Sequence, residues 1–152
     1  MSRGEKAMFQ RILVPVDGSD RALKALEFAI ALQEKFDSEL LILCVYRHHS
    51  LLEASMSMVR PEEPENLDDS MRAFSSDVVE KAKTYAAEHG GQNVRGFIKS
   101  GQPARTIVGF ANERKVDLIV LGSRGLGDIE GFLLGSVSHK VTSLADCPVM
   151  VI

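Results

Sequence analysis

Five short runs of nearly unbroken apolar residues punctuate this 152-residue chain, and helical spacing fills the intervals between them. A strand with one wet face alternates apolar and polar residues. A run apolar at almost every position suits a strand covered on both faces, which is how parallel sheets sit between layers of helices. The runs are Ile12 to Val16, Leu40 to Tyr46, a weaker Val94 to Lys99, Asp117 to Leu121, and Pro148 to Ile152. Ser19 or Asp20 is placed to cap a first helix bearing Leu23, Leu26, Ala29 and Ile30 on one face. Met71, Phe74, Val78, Ala82 and Tyr85 make a second apolar stripe that Gly90-Gly91 is placed to stop. Pro103 suits the first position of a third helix burying Ile107 and Ala111. Ser136 is placed to cap a fourth, with Val137, Val141 and Leu144 facing inward.

The order β-α-β-α-β-α-β-α-β predicts a single doubly wound α/β domain spanning residues 1–152. His48 to Asp69, with Arg60-Pro-Glu-Glu-Pro64 at its centre, reads as a mobile surface loop inside that domain. Pro15 resists the scheme, because proline donates no ladder hydrogen bond in a central strand. Its place near the end of the first run is the ground on which it fits.

Composition narrows the class. The chain is 45% hydrophobic and 26% charged, which argues for a globular fold against disorder. Its formal charge of −3 gives no support to a nucleic-acid binder working through a general basic surface. Cys44 and Cys147 form no CxxC and no ligand cluster, so a reducing, cytoplasmic setting is expected and no resident metal. No apolar stretch nears the roughly 20 residues of a membrane helix, and Met1 to Phe9 leads into no signal-like apolar core.

Open α/β sheets take ligands beyond the carboxyl ends of their strands. After the fourth run comes Gly122-Ser-Arg-Gly125-Leu-Gly127-Asp-Ile-Glu-Gly131-Phe-Leu-Leu-Gly135-Ser136. Glycines let backbone amides approach an anion, and the helix that Gly135-Ser136 opens offers free N–H groups to phosphate. The Ser136 hydroxyl can bond a phosphate oxygen or a hydrated cation. Arg124 can pair with a phosphate or stand in solvent. No Gly-Lys-Ser/Thr is present, and Glu130 stands where a dinucleotide fingerprint needs its third glycine. The bland alternative is a loop using glycine only for turns, with Asp17 a turn residue of Asp-Gly-Ser. His48, His49, Glu62-Glu63 and Asp68-Asp69 lack ligand spacing and read as surface; His139, in the first turn after Ser136, reads as a surface helix position with a role beside the phosphate as the alternative; Met56 and Met58 read as covering a neighbour rather than binding copper, and Cys44 as a packed thiol.

Gly122-x2-Gly125-x9-Gly135-Ser136 resembles the G-2x-G-9x-G(S/T) nucleotide motif of the universal stress protein family. Ile12-Leu-Val-Pro-Val-Asp17-Gly-Ser19, Leu41 to Val45, Gly101-Gln-Pro-Ala104, Val116 to Gly125 and Cys147 to Ile152 are similar to further segments of it. The resemblance implies a five-stranded parallel sheet of order 3-2-1-4-5, Rossmann-like and of the adenine-nucleotide-hydrolase type. It also implies a homodimer and, the motif being complete, the ATP-binding branch of the family. By that resemblance Gly122, Gly125, Gly135 and Ser136 hold ribose and phosphates. Asp17 sits by the adenosine, and Pro15, Val45, Leu121 and Val137 line an adenine slot, Val45 through its backbone. The expected ligand is ATP or another adenine nucleotide, with Mg²⁺ bridging its phosphates. The expected role is that of a dimeric stress-response or regulatory protein. The alternatives are a slow ATPase on the same site, for which no residue is an obvious base, and a nucleotide-free dimerisation scaffold. The exposed apolar strand Val149 to Ile152 is the expected dimer edge.

Overall fold

The structure, a computed structural model, describes residues 8–47, 64–125 and 134–152. The elements run β1 (Arg11–Pro15), α1 (Asp20–Phe36), β2 (Glu39–Tyr46), α2 (Pro64–Glu88), β3 (Val94–Ser100), α3 (Pro103–Glu113), β4 (Leu118–Leu121), α4 (Ser136–Leu144) and β5 (Val149–Val151). All four strand pairings are parallel and the sheet order is β3-β2-β1-β4-β5. This is the doubly wound topology that the resemblance implies.

Alternation along the strands explains why their sequences are apolar throughout. Ile12, Val14, Leu40, Ile42, Leu118 and Val120 face α1 and α2, where Ala25, Leu26 and Ala29 meet Val78, Val79 and Ala82. Leu13, Leu41, Leu43, Ile119 and Leu121 face the other way, onto Ile107 and Phe110 of α3 and Val141 of α4. Each strand therefore feeds two cores, and neither face of the central strands meets water.

Pro15 is accommodated by where pairing stops. Even-numbered residues of β1 turn their polar groups to β2, as the Val16 N–H to Leu43 carbonyl bond of 2.8 Å shows. Odd-numbered ones turn to β4, as the Asp117 N–H bond of 3.1 Å to the Arg11 carbonyl shows. The β1–β4 ladder ends at Leu13 opposite Ile119, whereas β1–β2 pairing continues to Pro15 opposite Leu43. The donor that proline lacks would face β4 just past Leu13, which is where the β1–β4 ladder stops. At the other end of the same pair, Asp117 stands just outside β4. Its carboxylate accepts the Gln10 and Arg11 N–H groups at 2.8 and 3.0 Å.

Several sequence expectations need correction. The stretch expected as a loop from His48 to Asp69 is helical from Pro64 onward, and residues 48–63 lie outside the described residues. Proline opens helices as well as loops, and Pro64 stands first in α2, with Asp68 and Asp69 in its second turn. Ser19, not Asp20, caps α1, its hydroxyl accepting the Ala22 N–H at 3.2 Å. Gly135 is the cap of α4 and Ser136 its first residue. Phe74 and Leu144 do not face inward; they are 55% and 47% exposed, because α2 and α4 bury narrower stripes than their apolar residues suggest. Gly90 does stop α2, at φ +87°, with the Gly91 N–H returning to the Ala86 carbonyl at 2.7 Å.

The two edges of the sheet differ. β3 carries Arg95 and Lys99 around Phe97, over whose ring the Arg95 and Arg114 guanidinium groups sit at 5.1 and 4.6 Å. β5 carries only Val149, Met150 and Val151 and pairs on one side, with β4.

Burial decides what truncation does. Ile119→Ala, at a fully buried position between the helices, is expected to lower stability by about 2–5 kcal/mol. Leu144→Ala should stay within about 0.5 kcal/mol of wild type. Denaturant unfolding of the two variants checks both.

Candidate functional site

Beyond Leu13 and Ile119 the chain leaves β1 for α1 on one face of the sheet and β4 for α4 on the other. The strands part there, which is the topological switch point of an open α/β sheet. A cavity of 140 Å³ occupies it.

The sequence-predicted residues largely converge on this cavity. Pro15 and Asp17 line it from the end of β1, and Val45 from β2. Leu121, Gly122, Arg124 and Gly125 line it from β4 and the segment after it, and Val137 from α4. Gly135 and Ser136 are not among the lining residues; they lead into α4 immediately before Val137. Sequence reading missed Val16, Ser19, Ala22, Leu43, Pro103, Ile107 and Ser138, which also line the space. Strand alternation would have found Leu43, two residues before Val45 and so on its face. Ser138 carried no signal.

Local chemistry shapes each wall. Asp17 Oδ1 accepts the Ser19 N–H at 2.9 Å, an Asx turn around Gly18 at φ +91°. The bland reading of Asp17 as a turn residue is therefore correct as far as it goes, and the same carboxylate lines the cavity. Gly122 has a packing reason of its own. A Cβ there would stand 2.9 Å from Arg21 Cβ and 3.0 Å from the Arg21 carbonyl carbon, at the start of α1.

Just beyond it, Ser123 ties three segments together. Its N–H donates to the Ile152 carbonyl at 2.7 Å, while the Ile152 N–H donates to Leu121 at 2.9 Å. Its carbonyl accepts the Gly135 N–H at 2.6 Å and the Ser138 hydroxyl at 2.8 Å. Its own hydroxyl accepts from Arg21 at 3.3 Å.

The amino end of α4 differs from those of α1 and α3. Ser19 caps α1 and Gln102 caps α3, each with a side-chain oxygen on a first-turn N–H. Gly135 brings α4 no side-chain cap, and Val137 and Ser138 of that uncapped turn line the cavity. Orphan N–H groups and the positive end of the helix dipole favour an anion there.

The remaining singled-out residues stay apart from this site. Cys44 is 4% exposed within the α1–α2 core. Burial pushes its thiol up from the ordinary value, a hydrogen bond with Ser75 opposes this, and the Asp17 charge adds to the rise. His139 is exposed on α4, and Asp68 and Asp69 belong to α2. His48, His49, Met56, Met58, Glu62 and Glu63 lie outside the described residues. Among the described residues no three His, Cys, Asp or Glu side chains gather as a metal site, and no helix is long and apolar enough to cross a membrane.

Comparison with known proteins places this geometry. The model of the universal stress protein family matches residues 8–152. The chain is 39% identical over 149 residues to universal stress protein YxiE of Bacillus subtilis, covering 95% of this chain and 99% of that protein. Its fold superposes on the universal stress protein UspA of Lactobacillus plantarum with a TM-score of 0.81 at 28% identity, covering 97% and 99% of the two chains. A universal stress protein solved in complex with cAMP is similar at a TM-score of 0.69 and 26% identity, covering 95% and 96%.

The contact of Gly122 with Arg21 makes a prediction independent of any ligand. Gly122→Ala must push the backbone of α1 away from β4, and a loss of about 1–3 kcal/mol is expected in thermal or denaturant unfolding. An unchanged midpoint would mean that the close approach is readily relieved.

Proposed function

The chain belongs to the universal stress protein family, and from that premise we propose that it binds an adenine nucleotide, ATP, in the crevice between β1 and β4. The observation that carries the reading is the meeting of three things in one cavity: an apolar slot, a carboxylate at its rim, and the uncapped start of α4 beside the glycine motif. The base lies among Pro15, Val45, Leu121 and Val137, where a flat heterocycle exchanges water for apolar walls. Asp17 accepts hydrogen bonds from the sugar or base. Its charge would repel phosphates, which go instead to the amides around Gly122, Gly125, Gly135 and Ser136, with Arg124 beside them. The related protein bound to cAMP supports an adenine ligand.

Mg²⁺ fits as a phosphate-borne ion. It would keep much of its water and take phosphate oxygens and the exposed Ser136 hydroxyl, because Asp17 is the one carboxylate residue lining the cavity among the described residues. Bound there, it would neutralise phosphate charge. The same scarcity favours binding over turnover: among the described residues the cavity lining includes no histidine to act as a base. The protein's role, on this reading, is that of a cytoplasmic stress-response or regulatory protein whose state reports the nucleotide.

Self-association goes with this role. β5 is a sheet edge, and Pro148 and Ile152 give their polar groups to β4. By strand alternation Met150 does so too, and Val149 and Val151 turn theirs outward. Antiparallel pairing of two β5 strands about a two-fold axis would satisfy both edges at once.

Calorimetric titration with ATP tests the first proposal. Wild type should bind, and Gly135→Val should bind markedly more weakly because a branched side chain keeps phosphate from the first amides of α4. Equal affinity in a folded variant overturns the assignment. Light scattering at micromolar concentration tests the second. A dimer is expected for wild type, and Val151→Pro or Val149→Lys should shift it toward monomer. Proline at Met150 is not the right probe, since it would break the pairing with β4 itself. A wild-type monomer, or a fully dimeric Val151→Pro protein, places the interface elsewhere.

A further inference from the structure

We infer that Ser138 is a positioning residue that holds the two arms of the glycine motif, Gly122–Gly125 and Gly135–Ser136, in register for phosphate. The inference rests on the nucleotide reading above and extends it to a residue outside the motif. Ser138 stands in the first turn of α4, is 2% exposed and lines the cavity. Its hydroxyl has a single proton and two acceptors in reach, the Ser123 carbonyl at 2.8 Å and the Gly135 carbonyl at 3.1 Å. The Gly135 carbonyl already accepts the His139 N–H at 3.0 Å as the first bond of the helix. The Ser123 carbonyl likewise already accepts one N–H, so distance alone separates the two, and the proton is assigned to the shorter bond, to Ser123.

That choice matters because of what else Ser123 holds. Its carbonyl has two lone pairs, and the Gly135 N–H takes the other at 2.6 Å. One carbonyl thus clamps the cap of α4 and the body of α4 together, on a residue directly between Gly122 and the rest of the first arm. The Ser123 N–H is fixed in turn on Ile152. A serine at the third position of a helix ordinarily bonds only within its own turn. Here the hydroxyl reaches 15 residues back along the chain. Phosphate oxygens that bridge the two arms need both at a fixed separation, whereas a base held among apolar walls does not.

The test is a comparison of two ligands on two proteins. Wild type and Ser138→Ala are titrated calorimetrically with Mg-ATP and with adenosine, and exchange of the Gly135 amide is followed by NMR without ligand. The expected result is ATP binding about fivefold to tenfold weaker in the variant, adenosine affinity within about twofold, and faster Gly135 exchange. Equal weakening of both ligands would mean a merely structural role, and no weakening of ATP would remove the role altogether; either overturns the inference. Wild type binding neither ligand overturns the nucleotide reading instead, and unchanged Gly135 protection in the variant then overturns the clamp as well. Ser138→Cys, nearly the same size with a weak donor, carries the same comparison should alanine not fold.

Discussion

The divergence of β1 from β4 after Leu13 and Ile119 is the constraint on which the rest of the molecule depends. Two neighbouring parallel strands must send their following helices to opposite faces, because the crossover hand is fixed and the order of connection reverses between them. The α1 side then closes on Ile12 and Val14, and the α3–α4 side on Leu13 and Ile119. A gap at the carboxyl ends is the geometric remainder. Pro15 sits at the lip of that gap, past the point where pairing with β4 has stopped. Every other feature of the site is arranged around this opening.

Much of this was legible because burial on both faces leaves a plain mark. Ile12 to Val14 and Leu40 to Leu43 are apolar at every position, and the structure buries every one of them. Helix stripes were less informative. Phe74 and Leu144 keep the correct spacing, but spacing gives the direction of a face and not its width, which depends on how closely the next element packs. Pro64 marks the limit of composition as a guide, since the same residue opens loops and helices. In the site, Pro15, Asp17, Val45 and Leu121 were reachable through the motif and the strand ends. Ser138 was not, because its partner lies 15 residues away and is brought near only by the return of the chain to α4.

Gly122 shows why a motif residue resists a single explanation. Its missing Cβ lets β4 approach the backbone of Arg21, and that contact also brings α1 against the segment that Ser123 begins. A glycine needed for packing and a glycine needed for a ligand look identical in a sequence. Here packing sets where the following amides lie, so the two needs are met by one atom's absence.

The unlike edges of the sheet limit what the molecule can grow into. Two β3 edges brought side by side would confront Arg95 and Lys99 with their own copies, near an Arg114 already stacked on Phe97. Like charges facing one another across a shared axis repel. The apolar β5 edge carries no such charge. The two ends of the sheet therefore offer an added strand unlike surfaces. Arg95 and Lys99 are held by Glu39 and Glu113 at 3.1 and 3.7 Å, so any strand added beside β3 would have to fit around fixed ion pairs, whereas one added beside β5 would meet only apolar side chains.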